Sequence, residues 1–303
     1  MKVLGLSCGR KLGNCEVMVK EALKGAEELG ANVEIIRMHD LSIKPCTGCE
    51  SCRVRELKEG GMNAKCIIEN DDMPFFVEKL LECDGAIVGA PIFHLMPPGF
   101  LTMIGNRMAI VGTRFRQKPR YSAHIMVGGT DWISLALPLM AIFLPHDFKL
   151  VDQMVVTYTP RPGQILLNGE AMERVRRMGR HIAEAIKAPP GEVKYLGDSD
   201  GRTCPLCHQN LLVVKEHSAE CPLCGIQGKI ELTGGEIRVI FDEEGMKSDR
   251  WSPVMMTKHL GEVQRGHRMY EERKPELNQM LEMYKTYLPF TRPPKKSRKA
   301  ANK

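Results

Sequence analysis

Along the first two thirds of the chain, short apolar runs alternate with amphipathic stretches. Lys2–Ser7 has the length and composition of a buried strand. Glu16–Leu29 then places Val17, Val19, Ala22, Leu23 and Ala26 at helical spacing, and Gly30 stops it. The pattern repeats: strand Asn32–Met38, helix Met73–Cys83, strand Gly85–Ala90, helix Pro98–Val111, strand Tyr121–Val127, helix Ile133–Phe143, strand Phe148–Tyr158, helix Gly169–Lys187. Asp71 and Asp72 are placed to cap the second helix, with Pro74 in its first turn. Five strands alternating with helices over residues 1–187 predict an α/β domain: a doubly wound five-stranded parallel sheet covered on both faces. Ligands of such sheets bind at the carboxyl ends of the strands, so the loops holding Cys8–Cys15, Pro91–Gly99 and Gly128–Trp132 are the functional candidates.

The remainder reads differently. Residues 188–202 are a linker by composition, opening with Ala188-Pro189-Pro190-Gly191. Residues 203–241 form a small cysteine module whose Leu211–Val214, Lys229–Leu232 and Glu236–Phe241 resemble ribbon strands. A helical segment spans 246–290, chiefly Met255–Leu288, with Pro275 opening its second half, and a basic disordered tail covers 291–303. That tail carries Arg292, Lys295, Lys296, Arg298, Lys299 and Lys303 and no acid, which accounts for the net charge of +6. The folded body is therefore near neutral. It lacks the basic stripe of a nucleic-acid binder, so nucleic acid is not an expected partner, although the tail could touch an acidic protein or RNA. The most apolar stretch, Trp132–Leu144, is too short to span a bilayer and contains Pro138. No membrane association and a cytoplasmic location are expected.

In such a location the 11 cysteines point to metal rather than disulfides. Eight of them form two tetrads. Cys46, Cys49 and Cys52 give C-x2-C-x2-C, with Cys66 more remote. Three close thiolates and a distant fourth suit a [4Fe–4S] cube better than one tetrahedral zinc, with free or redox-switch thiols as the other alternative. The insert Val54–Lys65, rich in charge and containing Gly60-Gly61, reads as a solvated loop extension. The second tetrad, Cys204-Pro-Leu-Cys207 and Cys221-Pro-Leu-Cys224, has the spacing of one tetrahedral metal. Zinc would make it structural; iron would make it a rubredoxin-like redox centre. No aromatic ring lies between Arg202 and Ile240, and His208 follows the first knuckle where such centres carry glycine, so zinc is favoured. His208 and His217 are expected at the surface.

The loop after the first strand, Cys8-Gly9-Arg10-Lys11-Leu12-Gly13-Asn14-Cys15-Glu16, joins strand to helix directly. Glycines there let backbone N–H groups approach a phosphate, the helix N-terminus favours an anion, and Arg10 adds a full charge. An ordinary strand–helix turn is the alternative.

Arg10-Lys11-Leu12-Gly13-Asn14-Cys15 resembles the R-K-x-G-N-T phosphate loop of the NADPH-dependent FMN reductase and iron–sulfur flavoprotein family. Pro91-Ile92-Phe93-His94-Leu95-Met96 resembles its flavin-ring loop, and Gly128-Gly129-Thr130 a later flavin loop. Cys66-Ile-Ile-Glu-Asn-Asp71-Asp72-Met73 resembles that family's fourth cysteine before D-D-M. Cys8-Gly9 stands where Ser-Pro is common, Cys15 where Thr is, and Phe93 where Tyr is. The resemblance covers about residues 1–187 and implies a flavodoxin-like fold followed by an added zinc-ribbon-like module. It implies FMN held by Cys8, Arg10, Gly13, Asn14, Cys15, Pro91, Ile92, Phe93, His94, Met96, Gly128 and Gly129. It further implies a [4Fe–4S] cluster on Cys46, Cys49, Cys52 and Cys66, ferredoxin or NAD(P)H as electron donor, and a homo-oligomer. Phe93 could instead simply pack, and His94 could line the pocket or sit in a satisfied loop. No proton-transferring catalytic side chain is recognisable. A flavodoxin-like scaffold that docks a protein or RNA partner through its ribbon and tail is the competing class of function.

Overall fold

The computed structural model describes all residues except 61, 63, 112, 113, 145, 146, 198–202, 289, 290 and 292–303. The end of the expected linker and nearly all of the basic tail thus lie outside the described residues. The chain divides into two compact units, Met1–Ser248 and Asp249–Lys303.

In the first unit, strands β1 (Lys2–Ser7), β2 (Asn32–Arg37), β3 (Gly85–Ile92), β4 (Arg120–Gly128) and β5 (Phe148–Val156) form one parallel sheet in the order β2-β1-β3-β4-β5. This is the flavodoxin-like order, whose switch point falls between β1 and β3. The helices are α1 (Asn14–Glu28), α2 (Ser51–Glu59), α3 (Met73–Glu82), α4 (Gly99–Gly105), α5 (Ala136–Met140) and α6 (Gly169–Lys187). Val19 and Leu23 of α1 and Val175, Met178 and Ile182 of α6 bury one face of the sheet. Phe76 and Leu80 of α3, Ile104 of α4 and Met140 of α5 bury the other.

Several elements differ from expectation. The insert after Cys52 is not simply a loop: Ser51–Glu59 is helix α2, supported by an Arg53–Glu56 ion pair at 2.9 Å. The helix expected over Pro98–Val111 ends at Gly105 and gives way to a short 3-10 turn at Met108–Val111. That expected over Ile133–Phe143 shortens to Ala136–Met140. Of the two aspartates before α3, Asp71 accepts the Met73 N–H at 3.1 Å, whereas Asp72 accepts the Ser42 N–H at 2.6 Å and caps nothing with its side chain.

The cysteine module is a four-stranded antiparallel ribbon, β6 (Val213–Lys215), β7 (Ser218–Glu220), β8 (Gln227–Thr233) and β9 (Glu236–Ile240), followed by α7 (Glu243–Met246). β7, three residues long, was not separable by pattern alone. The second unit holds α8 (Pro253–Lys285), a continuous helix that contains Pro275 and is capped by the Ser252 hydroxyl. No helix among the described residues is long and apolar enough to cross a membrane.

Candidate functional site

The loops after β1, β3 and β4 meet around a cavity of about 620 Å³, within the ~300–1,000 Å³ usual for small-molecule sites. Cys8, Arg10, Gly13, Asn14, Cys15, Pro91, Ile92, Phe93, His94 and Gly129 line it. Met96 and Gly128, also expected there, stand outside the lining. Met96 closes a turn by exchanging hydrogen bonds with Phe93 at 2.9 and 3.1 Å, and Gly128 is buried at the end of β4. His39, Leu95, Thr130, Trp132 and Thr159 complete the walls. Leu95, Thr130 and Trp132 belong to the two loops marked in sequence, whereas His39 and Thr159 come from the connections after β2 and β5, whose approach depends on the sheet order.

The Cys8–Cys15 end of the cavity is a tight turn that runs straight into the N-terminus of α1. The Gly13 N–H donates to the Arg10 carbonyl at 3.0 Å, and a Cβ on Gly13 would come within 2.9 Å of that oxygen, so no side chain fits this turn. Gly13 caps α1 without a side-chain bond, leaving the first N–H groups of the helix directed at the cavity end. Asn14 behaves differently from the expectation. Its amide donates to the Thr159 and Arg161 carbonyls at 2.7 and 2.9 Å, and its oxygen accepts the Ile165 N–H at 3.2 Å. The side chain thus ties the first loop to the loop after β5, and only its backbone is available to an anion. Cys8 and Cys15 are neutral thiols. Burial pushes Cys8 well up and Cys15 up to about 12.

At the opposite end, His94 and Leu95 occupy left-handed conformations with φ of 49° and 72° between the paired Phe93 and Met96. Two such residues define a type I′ turn, normally built from Asn and Gly. The turn leaves Phe93 59% exposed, and Trp132, which lines the same cavity, is more open still at 75%.

The two tetrads differ sharply. Cys204, Cys207, Cys221 and Cys224 bring their sulfurs within 4.8 Å of one another. Cys207 and Cys221 are 3.7 Å apart, close to the ~3.8 Å edge of a tetrahedron with ~2.3 Å metal–sulfur bonds. The donor set therefore fits one tetrahedral ion. Both knuckles use the same bonds: Cys204 N–H to the Gln209 carbonyl and His208 N–H to the Cys204 carbonyl, matched by Cys221 to Ile226 and Gly225 to Cys221, all between 2.8 and 3.0 Å. Cys221 also accepts from the Cys224 N–H at 3.3 Å and from the buried Gln209 amide at 3.2 Å. Hydrogen bonds from Cys204, Cys207 and Cys224 hold the Cys221 thiol far below its ordinary value.

His208 is not a surface residue. Its ring stacks on Tyr195 with centroids 3.6 Å apart, and its carbonyl accepts the Gln153 amide of β5 at 2.7 Å. Tyr195 lies just outside the segment that sequence showed to be free of aromatic rings, as does Phe241, which packs against the buried cysteines.

Cys46, Cys49, Cys52 and Cys66 line one small cavity together with Asn106 and Arg107. Among the described residues they are not gathered into a single-ion site. Cube corners are necessarily further apart than ligands of one ion, and the donor chemistry of four cysteines sharing one lining is that of a cluster site. Cys46 accepts the Gly48 N–H and Cys66 the Ile68 N–H, each at 3.4 Å, as ligating sulfurs do. The Ser51 hydroxyl and N–H lower the exposed Cys49 thiol, whereas burial raises Cys52. His39, one residue beyond the start of the connection leading to Cys46, lines the larger cavity, so both sites lie at the carboxyl end of the sheet.

With this geometry in view, the likeness to known proteins is informative. The model of the NADPH-dependent FMN reductase family matches residues 1–156, half of the chain, and the chain belongs to that family. It is a flavoprotein oxidoreductase, and FMN is the cofactor its family defines. A flavone synthase of Aspergillus candidus is 30% identical over 295 residues, covering 88% of this chain and 90% of that protein. A solved flavone reductase superposes with a TM-score of 0.76 at 26% identity, covering 97% of this chain and all of the other. An iron–sulfur flavoprotein of Methanocaldococcus jannaschii is 28% identical over 201 residues, covering 62% of this chain and 98% of its own length.

Proposed function

We propose that the chain passes electrons from NAD(P)H through FMN to a flat, conjugated organic acceptor of the flavone class. The observation that carries this reading is the cavity: one end is an anion cradle, and the other is a wide mouth walled by Phe93, Leu95 and Trp132. The names of the two relatives that span nearly the whole chain support it. FMN, when bound, accepts electrons in pairs and returns them in pairs or singly. Arg10, Gly13 and the N-terminus of α1 would hold its phosphate, and the Pro91–Leu95 loop would lie along its ring. Phe93 and Trp132 would sandwich a planar acceptor and exclude water from it. Cys8 and Cys15, kept neutral by burial, hold no exchangeable charge near the phosphate. His39 and His94 are the lining imidazoles positioned to hold a proton beside the acceptor. The exposed Leu12, Phe93 and Trp132 support self-association around this mouth.

The test is anaerobic reduction with NADH or NADPH, followed by addition of a flavone and mass analysis. Flavin bleaching, recovery of the oxidised spectrum and a product carrying two more hydrogens are expected. Bleaching without reoxidation by any flavone overturns the acceptor assignment.

A second reading is favoured by the cavity shared by Cys46, Cys49, Cys52 and Cys66. It supports a [4Fe–4S] cluster that delivers single electrons from a reduced ferredoxin to the flavin. Cys204, Cys207, Cys221 and Cys224 would hold zinc as a structural ion, their closed four-thiolate set leaving no position for substrate, with rubredoxin-like iron as the alternative. Metal analysis with sulfide determination on anaerobically purified protein separates the two tetrads.

A further inference from the structure

Arg107 is the largest of the fully buried side chains, 1% exposed, just beyond α4. Charged groups are rarely taken so far from water without a specific partner. Here the partner is Asp71, also inaccessible, in a direct ion pair. The guanidinium does more than neutralise it. Its Nη1 donates to the Lys44 carbonyl at 3.1 Å and its Nη2 to the Ile68 carbonyl at 3.0 Å. Lys44 lies two residues before Cys46, and Ile68 two residues after Cys66. Asp71 grips the same arms from its side, accepting the Lys44 N–H at 2.9 Å. The Ile68 N–H meanwhile donates to Cys66 Sγ. Arg107 itself interacts with the Cys66 thiol and lines the cavity shared by the four cysteines. Its Nε has no partner among the described residues.

We infer that Arg107 is the positioning residue of the first tetrad, clamping both arms of the cysteine loop and lending a fixed positive charge to the cluster held there. The inference rests on the cluster reading given above. A cluster on four thiolates is anionic, and each electron it accepts adds negative charge. Asp71 balances the charge overall, but the guanidinium is the end of the pair that reaches Cys66, so the cluster meets the positive end, which favours the reduced form and raises the reduction potential. Arginine suits the task because its planar fork reaches two carbonyls and a carboxylate at once, which a lysine cannot do, while its charge survives burial.

The experiment compares full-length wild type with R107K, R107Q and the double variant R107Q/D71N, which removes the carboxylate that R107Q would leave buried and unpaired. All are purified anaerobically, assayed for iron and sulfide, and titrated with EPR detection of the reduced cluster and optical detection of the flavin. R107Q, which leaves Asp71 unbalanced, should titrate at the most negative potential. The double variant, whose net charge equals that of wild type, should shift in the same direction by less, R107K should lie closest to wild type, and the flavin potential should not move. Release of iron to a chelator should be at least tenfold faster in R107Q than in wild type. A purely structural role would lower cluster content in every variant and leave the potential of the remaining cluster unchanged, and that result overturns the proposal. Should R107Q hold no cluster, the double variant decides it in the same way. Wild-type protein without iron and sulfide overturns the cluster reading itself, and this inference falls with it.

Discussion

The two cysteine tetrads share a composition and a thirteen-residue gap before the last ligand group, yet they are built on opposite plans. The second is made by backbone. Each knuckle closes its own turn, three of its four cysteines are buried, and a ribbon stacks behind it. The first is made by a neighbour. Cys46 and Cys49 are exposed on an irregular segment, and the arms are held by Arg107 and Asp71, distant in sequence from Cys46. A tetrahedral ion site can therefore form from a short peptide. The arms of the first tetrad are held only once the sheet has brought the residue after α4 beside the loop. Metal should be a folding element in the second tetrad and a guest in the first.

The strongest challenge to this contrast is one cysteine in each tetrad. C207S should abolish metal binding at the second tetrad and expose residues 203–241 to protease, because structural zinc supplies about 10–16 kcal/mol of apparent binding energy. Flavin content should stay. C49S should remove acid-labile sulfide and the visible cluster absorption while the melting temperature moves by only a few degrees. Equal unfolding of both variants in limited proteolysis would break the comparison.

Acid provides the next largest effect. Burial lowers His124 to about 4 and, together with the Lys149 charge, His208 to about 4. Between pH ~6.5 and ~4 the unfolded chain binds protons that the folded chain refuses, so stability is full above ~6.5 and falls on acidification. For the fully buried His124 the loss amounts to about 3 kcal/mol. His124 pairs in register with Gln153, the residue that holds His208, so the acid-sensitive groups cluster on the second tetrad's side. Urea unfolding of H124L from pH 7 to 4 should show a visibly flatter slope than wild type.

A subtler effect tests the bond from Gln209 to Cys221. Q209A should weaken zinc binding at the second tetrad by about 10- to 100-fold, as loss of a supporting hydrogen bond commonly does. Competition with a chromophoric chelator measures it. The first tetrad should be untouched. The smallest effect belongs to H208G. Glycine relieves the left-handed strain at φ 56° but gives up the Tyr195 stack, so stability should change by no more than about 1 kcal/mol.

The sheet was legible because its signal is local. β1 and α6 fall on the residues their patterns marked, and the glycine-bearing loops follow directly from strand ends. The second tetrad was legible for the same reason, its spacing being its geometry. What pattern did not reveal depends on distant partners. Arg107 carries no mark in sequence, and its importance comes from carbonyls 39 and 63 residues away. Asn14 sits in a phosphate-loop motif, yet its side chain serves Thr159, Arg161 and Ile165. His208 looked like a solvent residue because Tyr195 and Gln153 reach it only through the docking of the ribbon.

One feature of that docking bears on colloidal behaviour. β5 is a terminal strand of the sheet, and an open edge of this kind is a template on which a second chain can add and start aggregation. Here the segment leading into the ribbon occupies it. The Leu196 N–H bonds to the Val151 carbonyl at 2.7 Å, Lys149 reaches the Val193 carbonyl at 2.5 Å, and Gly197 lies so close that a Cβ would come within 2.8 Å of the Gln153 nitrogen. The first knuckle then fastens this cover through His208. The metal module thus doubles as a guard against edge-to-edge assembly, and a preparation stripped of metal should grow turbid before its flavin domain unfolds.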